Sequence, residues 1–544
     1  MKYHPPRYPA APVAKSGAHH KVVVAGGGLV GLTLALDLAQ RGIGVVLLDD
    51  EDTVSVGSRA ICFAKRTLEI YDRLGLGERI FEKGVTWNTG KIFFQKREIY
   101  AFDLLPDSGH HYPAFINLQQ YYVEEWLVEA CQAAGVDLRW KHRVVSVANH
   151  PDHVALRIET PAGAYDLTCA WLLACDGARS TVREAMALPF VGRAFPDRFL
   201  IADVEMKAPF PSERWFWFDP PFHRGQSVLL HRQADDIWRI DFQLGPDADP
   251  EEERKPERVI PRVRAMLGDT PFALDWVSVY TFRCRRLEKF VHGRVIFAGD
   301  AAHQVSPFGA RGGNGGVQDA DNLAWKLAAI LDGSGDERLL ASYDSERIAA
   351  ADENILHSTR STDFISPKSD AIRAYRDATL LLGAHFEFAR RLVNSGRLSQ
   401  PAILRESPLN DPRAAGWQGA PALGSPAIDA PIRHRGRDTW LLRHLGGQHF
   451  TLMAFAPIAG EMRAALRAVG IETVVIADRE SGDDEDDVLI DSEGLVRRRY
   501  GFKEGGGILF RPDQHVASVM MRPDHAAAAR EYCLAGGALA EIAA

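Results

Sequence analysis

The sequence predicts a mixed α/β and α+β protein: a Rossmann-like dinucleotide-binding domain interrupted by an inserted antiparallel sheet, then a smaller α/β domain. Two glycine-rich turns, each following a short apolar run and opening onto a helical stretch, lie far apart at residues 22–50 and 293–327. Between them the pattern changes to period-two alternation rich in Trp, Phe and Val, as antiparallel strands require. Beyond residue 431, strand-like and helical segments alternate again. The 544 residues suit roughly three domains of ~150 residues each.

The bulk properties narrow the function. Hydrophobic residues at 46% and charged residues at 25% are those of a soluble globular protein. A formal charge of 64 − 72 = −8 argues against nucleic acid as the main partner. Residues 1–20 contain Pro, His and Lys but no apolar core segment, so they read as a flexible lead rather than a signal peptide. No run approaches the ~18 apolar residues of a membrane span. The six cysteines (Cys62, Cys131, Cys169, Cys175, Cys284 and Cys533) include no C-x-x-C and read as reduced thiols of a cytoplasmic protein.

In the first turn, the apolar run Val22 to Ala25 leads into Gly26-x-Gly28-x-x-Gly31, a helical stretch to Ala39, and a second strand that ends in Asp49. The first glycine permits the tight turn, the second lets backbone approach a pyrophosphate, and the third lets helix pack on strand. The helix start offers free N–H groups and a positive dipole end to phosphates. Asp49 is spaced to accept hydrogen bonds from ribose hydroxyls. NAD and FAD both fit this turn.

The second turn follows the run Arg294 to Ala298 and the pair Gly299-Asp300. It holds five glycines in the ten residues from Pro307 to Gly316, and "VQDADNLAWKLAAI" continues as an amphipathic helix. If the first turn holds the adenine end of FAD, this one is placed for the flavin end. Asp300 would then bond ribityl hydroxyls, and the N–H groups around Gly313 and Asn314 would stabilise negative charge on the reduced ring.

The first turn, "DGARS" at Asp176 to Ser180 and "GDAAH" at Gly299 to His303, in that order and spacing, resemble the class A flavoprotein aromatic hydroxylases. These are single-component FAD monooxygenases related to p-hydroxybenzoate hydroxylase, phenol hydroxylase and 3-(3-hydroxyphenyl)propionate hydroxylase. The resemblance implies FAD as cofactor, NADH or NADPH and O2 as co-substrates, and a small aromatic substrate. It further implies that NAD(P)H reduces the flavin and that a flavin C4a-hydroperoxide transfers its distal OH to a phenolic ring. By the same resemblance, Gly26, Gly28, Gly31 and Asp49 would hold the ADP part and Asp300 the ribityl and pyrophosphate part. Arg59 in "GSRA" and Gln120 in "QYYVE" would add FAD contacts, and Asp176 falls among residues serving both FAD and NAD(P)H.

The backbone at Pro307 would lie over the flavin edge, with Gly312, Gly313 and Asn314 completing the turn. Arg311 stands where the related form P-x-G-A-K-G-x-N has Lys, and a fixed positive charge there favours an anionic reduced flavin; the rival reading is a surface arginine. Arg283 and Arg285 in "TFRCRR" fall where the family contacts the nicotinamide, or else form a solvated strand face.

The resemblance implies FAD-binding segments at 21–187, with a short excursion near 85–105, and at 291–400. A β-sheet substrate domain would span 188–290, a linker 401–431, and a thioredoxin-like domain 432–544. That last domain lacks C-x-x-C, so packing or homodimer formation suits it better than redox chemistry. Trp215, Trp217, Phe218, His231, Trp238, Phe242, Tyr280 and Phe282 form the pool for a substrate cavity, most of them as plain core. His231 and Tyr280 are the candidates to orient or deprotonate a phenol. Three rival readings are an NAD-dependent dehydrogenase, a non-catalytic flavin or small-molecule binding protein, and a flavin halogenase or epoxidase.

Overall fold

The computed structural model describes the chain except residues 1–2, 58, 394–397, 479–487, 503–504 and 521–544. Most of the acidic stretch 478–487 and the last 24 residues, both within the domain expected at 432–544, lie outside the described residues.

The first sheet is built on strand Ala18–Ala25, whose Val22, Val23 and Val24 are fully buried. Its neighbours Val45–Asp49 and Gly163–Ala174 run parallel to it. Burial on both faces explains the continuous apolar run. Asp137–Trp140 extends the sheet on one side and Val295–Phe297 on the other, again in parallel. The chain therefore finishes this sheet only after building another.

Among the described residues that second sheet has eight strands, with Phe190–Glu205 and Ala273–Leu287 as its long pair. Ile237–Leu244, Ser227–Arg232 and Arg214–Phe218 follow in order beside Phe190–Glu205. Thr89–Phe94, parallel to Arg214–Phe218, and Arg97–Asp103 from the first half of the chain extend it at one edge, and His303–Gln304 beside Ala273–Leu287 completes it at the other. One face, carrying Leu200, Trp238, Ile240 and Phe242, packs on helix Pro256–Leu267. The other, carrying Phe199, Phe216, Phe218 and Phe282, meets Phe308 of the second turn and Ile365 and Leu380 of later helices.

A third sheet follows, with seven strands among the described residues and Ile471–Ala477 parallel to both Phe450–Ala454 and Val488–Ile490. Residues 401–431, expected as a linker, are stitched to this sheet: the Asp411 N–H donates to the Ala517 carbonyl at 2.8 Å and the Gly424 N–H to Val516 at 2.9 Å. The lead does not fray either. Tyr3 stacks on Tyr121 with centroids 4.0 Å apart and Tyr8 on Trp140 at 4.5 Å, so two aromatic side chains supply the burial that composition did not suggest. Among the described residues, no helix is long and apolar enough to cross a membrane.

Candidate active site

At the first turn, Gly26 adopts φ 105°, and a Cβ there would lie 2.4 Å from the Cys175 carbonyl oxygen. A Cβ on Gly31 would lie 1.9 Å from the Gly26 oxygen. These two glycines serve the packing of turn, helix and strand. Gly28 differs, because a Cβ there meets only Glu124 Oε1, at 3.7 Å. Its backbone is therefore open for close approach by a ligand.

Helix Leu29–Gln40 has no side-chain cap of its own. Glu124 supplies one from another helix, accepting from the Leu29 N–H at 3.0 Å and the Ser55 N–H at 2.7 Å. Gln120, one turn earlier, donates to Glu124 at 2.6 Å and accepts from the Ala60 N–H at 3.0 Å. Glu124 was missed in the sequence although its i,i+4 spacing from Gln120 puts both on one helix face. Asp49 accepts from the N–H groups of Gly27 and Glu51, yet burial pushes its carboxyl up to about 6. Arg59 is exposed beside the turn, and its carbonyl accepts from Arg239 at 3.0 Å.

The two turns are keyed together. A Cβ on Gly299 would lie 2.9 Å, and one on Gly316 2.5 Å, from Cγ2 of Val30 on the first-turn helix. A Cβ on Gly313 would sit 3.3 Å from both Ala60 and Leu29. The starts of helices Leu29–Gln40 and Gly312–Asp332 thus adjoin, and the first N–H groups of each lack an intrahelical acceptor. Asn314 ties the second turn to strand Cys62–Ala64, accepting from the Ala64 N–H at 2.9 Å and donating to the Cys62 carbonyl at 2.8 Å. Pro307 is exposed, Gly312 and Gly313 are half-buried, and Arg311 is buried with a bond to Asn354 at 3.4 Å, which removes the surface reading of that arginine.

Asp300 borders the cleft, where partial desolvation by the surrounding wall raises its carboxyl against the pull of His303 and Arg59. Beneath it, Asp319 accepts from the Gly299 N–H at 2.9 Å, His303 Nε2 at 2.7 Å and Arg347 Nε at 2.7 Å. Burial would raise Asp319, but His303 and Arg347 outweigh it and hold the carboxyl at about 2. Asp176 accepts from the Val182 N–H at 3.0 Å through one oxygen, while its other oxygen is buried with no hydrogen-bond partner. Burial raises its pKa.

The second sheet supplies a floor. Register places His231 beside Arg239 and Arg239 beside Asp203, and Arg214 extends this row because Trp215 pairs with Leu230. The next row on the same face is Phe216, Leu229, Asp241 and Ile201. Arg214, Phe216, Phe218, Phe308 and Arg311 line one cavity between this face and the second turn. Burial, then Arg214 and Arg239, lower His231 well below 6.5, so it is neutral and a weak base at neutral pH. Burial and Asp241 raise Tyr280, which packs on Phe199 and Phe282. Of the expected lining pool, Trp215, Trp217, Trp238 and Phe242 belong to the opposite face, where they surround helix Pro256–Leu267. Arg285 lies over the Phe190 ring at 4.5 Å and Arg183 over the same ring at 4.1 Å, while Arg283 is exposed.

The open backbone at Gly28, the orphaned oxygen of Asp176 and the paired helix starts fit a long, anionic, hydroxyl-rich cofactor held at both ends. A family described as FAD binding domain matches residues 19–358. A 6-methylpretetramide 4-monooxygenase of Streptomyces rimosus is 32% identical over 520 residues, covering 92% of this chain and 90% of its own. A 3-(3-hydroxy-phenyl)propionate/3-hydroxycinnamic acid hydroxylase of Mycolicibacterium gilvum is 28% identical, covering 91% and 88%. The crystal structure of the flavin-dependent monooxygenase PieE in complex with FAD and substrate matches in fold with a TM-score of 0.80, over 96% of this chain and 99% of that one, at 22% identity. The chain thus belongs to the FAD-binding-domain family of class A flavoprotein aromatic hydroxylases, with FAD as its cofactor.

Proposed function

We propose that this chain uses NAD(P)H and O2 to hydroxylate a phenolic ring seated between the second glycine turn and the polar rows of the eight-stranded sheet. The observation that carries this reading is the junction of the two glycine turns across Val30, with an aromatic cavity opening beside the second. A dinucleotide dehydrogenase would need only the first turn. In the same reading, 21–187 and 291–400 form the FAD-binding domain, 188–290 the substrate domain, and 432–544 a thioredoxin-like domain joined through 401–431.

When bound, FAD supplies the hydride acceptor and the oxygen-activating chemistry. The protein's part is position, charge and exclusion of water. Gly26, Gly28 and Gly31 with the Leu29 helix start receive the pyrophosphate, and Asp49 accepts from ribose hydroxyls. Asp176 and Asp300 accept from the hydroxyls of the chain between phosphate and ring. Gln120 and Glu124 fix the first turn, Arg59 flanks it, and the Asp319–His303–Arg347 group holds the Gly299-Asp300 backbone in place. Around the ring end, Arg311, Gly312, Gly313 and Asn314 present backbone N–H groups and one buried positive charge, with Pro307 exposed beside them. Tyr280 keeps its proton and can donate to a substrate oxygen, whereas neutral His231 can only orient one.

The test is a glycine series read by flavin content. Gly26→Ala and Gly31→Ala should fail to fold, given the contacts their Cβ atoms would make. Gly28→Ala should fold with an unchanged circular dichroism spectrum and lose FAD affinity by roughly tenfold or more, since its Cβ occupies only the approach space. A wild-type protein without flavin absorbance, or a Gly28→Ala variant with undiminished FAD affinity, would refute the assignment of this turn. Oxidation of NAD(P)H stimulated by a phenol, with a product heavier by one oxygen, tests the reaction itself.

A further inference from the structure

Residues 3–11 carry Pro5, Pro6 and Pro9 around Tyr3 and Tyr8. Prolines at that density keep a segment extended and stiff without internal hydrogen bonds. Here the segment is fastened at three places. The Tyr3 ring lies parallel to that of Tyr121, 4.0 Å away, and its hydroxyl donates to Glu125 at 2.6 Å, both on helix Gln120–Ala133. The Tyr8 ring stacks on Trp140 at 4.5 Å, and the Ala11 N–H donates to the Trp140 carbonyl at 3.3 Å. The third fastening is Asp52, whose carbonyl accepts from the Tyr8 N–H at 2.7 Å and whose side chain pairs with Arg7.

Asp52 belongs to a loop bound up with the first glycine turn. Residues 50–57 follow Asp49, and further along the Ser55 N–H donates to Glu124, the same carboxylate that caps Leu29. Trp140 adjoins this loop as well, because the next two residues, Lys141 and His142, donate backbone N–H groups to the Glu51 and Asp49 carbonyls at 3.0 and 2.7 Å. Within the loop, Thr53 Oγ1 and Ser55 Oγ are buried without a hydrogen-bond partner. Buried hydroxyls are ordinarily paired, so two open ones close to Asp49 fit a polar ligand at that wall. Helix, loop and strand end together wall the Asp49 end of the first turn, and residues 3–11 tie all three to one another.

We propose that residues 3–11 are a latch that holds loop 50–57 shut at the adenosine end of the FAD site, so that the cofactor enters and leaves only when the latch lifts. This rests on the reading that the first turn receives the ADP half of FAD. All the fastenings are to protein, so Tyr3 and Tyr8 are positioning residues. Loosening them lowers the cost of opening equally for an empty and a filled site. Entry and release then speed up by the same factor, and their ratio, the affinity, is unchanged. Each aromatic stack slows opening by roughly two- to tenfold.

The experiment measures FAD exchange on the full chain. Association is followed by flavin fluorescence on mixing flavin-free protein with FAD, release by the same signal on diluting the loaded enzyme, and the dissociation constant by titration. Tyr3→Ala combined with Tyr8→Ala should speed both entry and release by roughly five- to a hundredfold, while the dissociation constant stays within about threefold of wild type. Tyr3→Phe with Tyr8→Phe keeps both stacks and should hold the rates within about threefold of wild type. A merely structural role, in which these residues shape the site, would weaken the dissociation constant and speed release alone. Unchanged rates in the alanine pair, or faster release with a weakened dissociation constant, overturns the latch. Gly28→Ala separates this from the reading beneath it: if that variant binds FAD as tightly as wild type, the ADP half does not lie on the first turn, whatever the tyrosines do.

Discussion

Two clusters of charge in this molecule, one fully buried and one half-open, are built on opposite terms. In one, Lys326 donates to Glu346 at 2.7 Å and Asn322 at 2.9 Å, and Arg511 donates to both oxygens of Glu346 at 2.7 and 3.1 Å and pairs with Asp513. These side chains are essentially inaccessible to solvent. In the other, Arg214, His231 and Asp241 each keep a buried atom without a hydrogen bond. The first cluster closes on itself and joins the last sheet to the helices behind the second turn. The second leaves those atoms open. Burial of charge is therefore no guide to role by itself; whether the local partners satisfy it is.

The sharpest way to break this comparison is to remove one member from each cluster. Glu346→Gln leaves Lys326 and Arg511 buried without their shared counter-charge and should lose about 3–5 kcal/mol of stability. Arg214→Met removes a half-buried charge and should change stability by less than about 1 kcal/mol, or raise it. Urea unfolding of both variants decides the matter. Equal losses would mean that the floor is as structural as the network.

The two aspartates behind the turns sharpen the same contrast through pH. Asp319 is satisfied, and its carboxyl is held at about 2, below the 3.8 of a free side chain. A depressed acid contributes stability that is fully present above pH 4 and lost as pH falls toward 2, worth about 2 kcal/mol. Asp49 is raised to about 6 because burial outweighs its two N–H bonds. Between about pH 4 and 6 the folded state then holds more protons than the unfolded, so flavin-free protein should lose stability as pH rises through that window. Asp49→Asn should flatten the decline, and FAD should offset it where ribose hydroxyls donate to the carboxylate. A stability curve of the flavin-free protein that rises from pH 4 to 6 and is unchanged by Asp49→Asn would remove Asp49 from this role.

These differences mark what could be read in advance. The strand, glycine turn and helix at Gly26, Gly28 and Gly31 were legible because that geometry is local, set by a turn and the helix that follows it. Asp319, Asn322 and Lys326 were not: in "VQDADNLAWKL" they look like the solvated face of an amphipathic helix, yet all are buried. Asp319 is closed by His303 and Arg347, and the partner that closes the cluster of Asn322 and Lys326, Arg511, lies 165 residues from Glu346, so no window of sequence contains both. The second sheet was legible as alternation, but alternation distinguishes two faces without saying which one meets the second glycine turn. Here both faces are buried, one against a helix and one against the second turn, so Trp238 and Phe216 carry the same signal.

The two faces give the smallest and most discriminating expected effect. Trp217 belongs to the face packed on helix Pro256–Leu267, and Phe216, its neighbour in sequence, lines the cavity. Trp217→Phe keeps an aromatic ring in place and should alter ligand affinity by less than twofold. Phe216→Leu removes an aromatic ring from the cavity wall and should weaken binding by roughly three- to tenfold, in line with the contribution of one aromatic contact. A titration of the FAD-loaded enzyme with phenols, followed by flavin absorbance difference, reads both. If the tryptophan variant moved affinity more than the phenylalanine variant, the cavity would lie on the other side of the sheet, and the row of Arg214, His231 and Arg239 would have no substrate to meet.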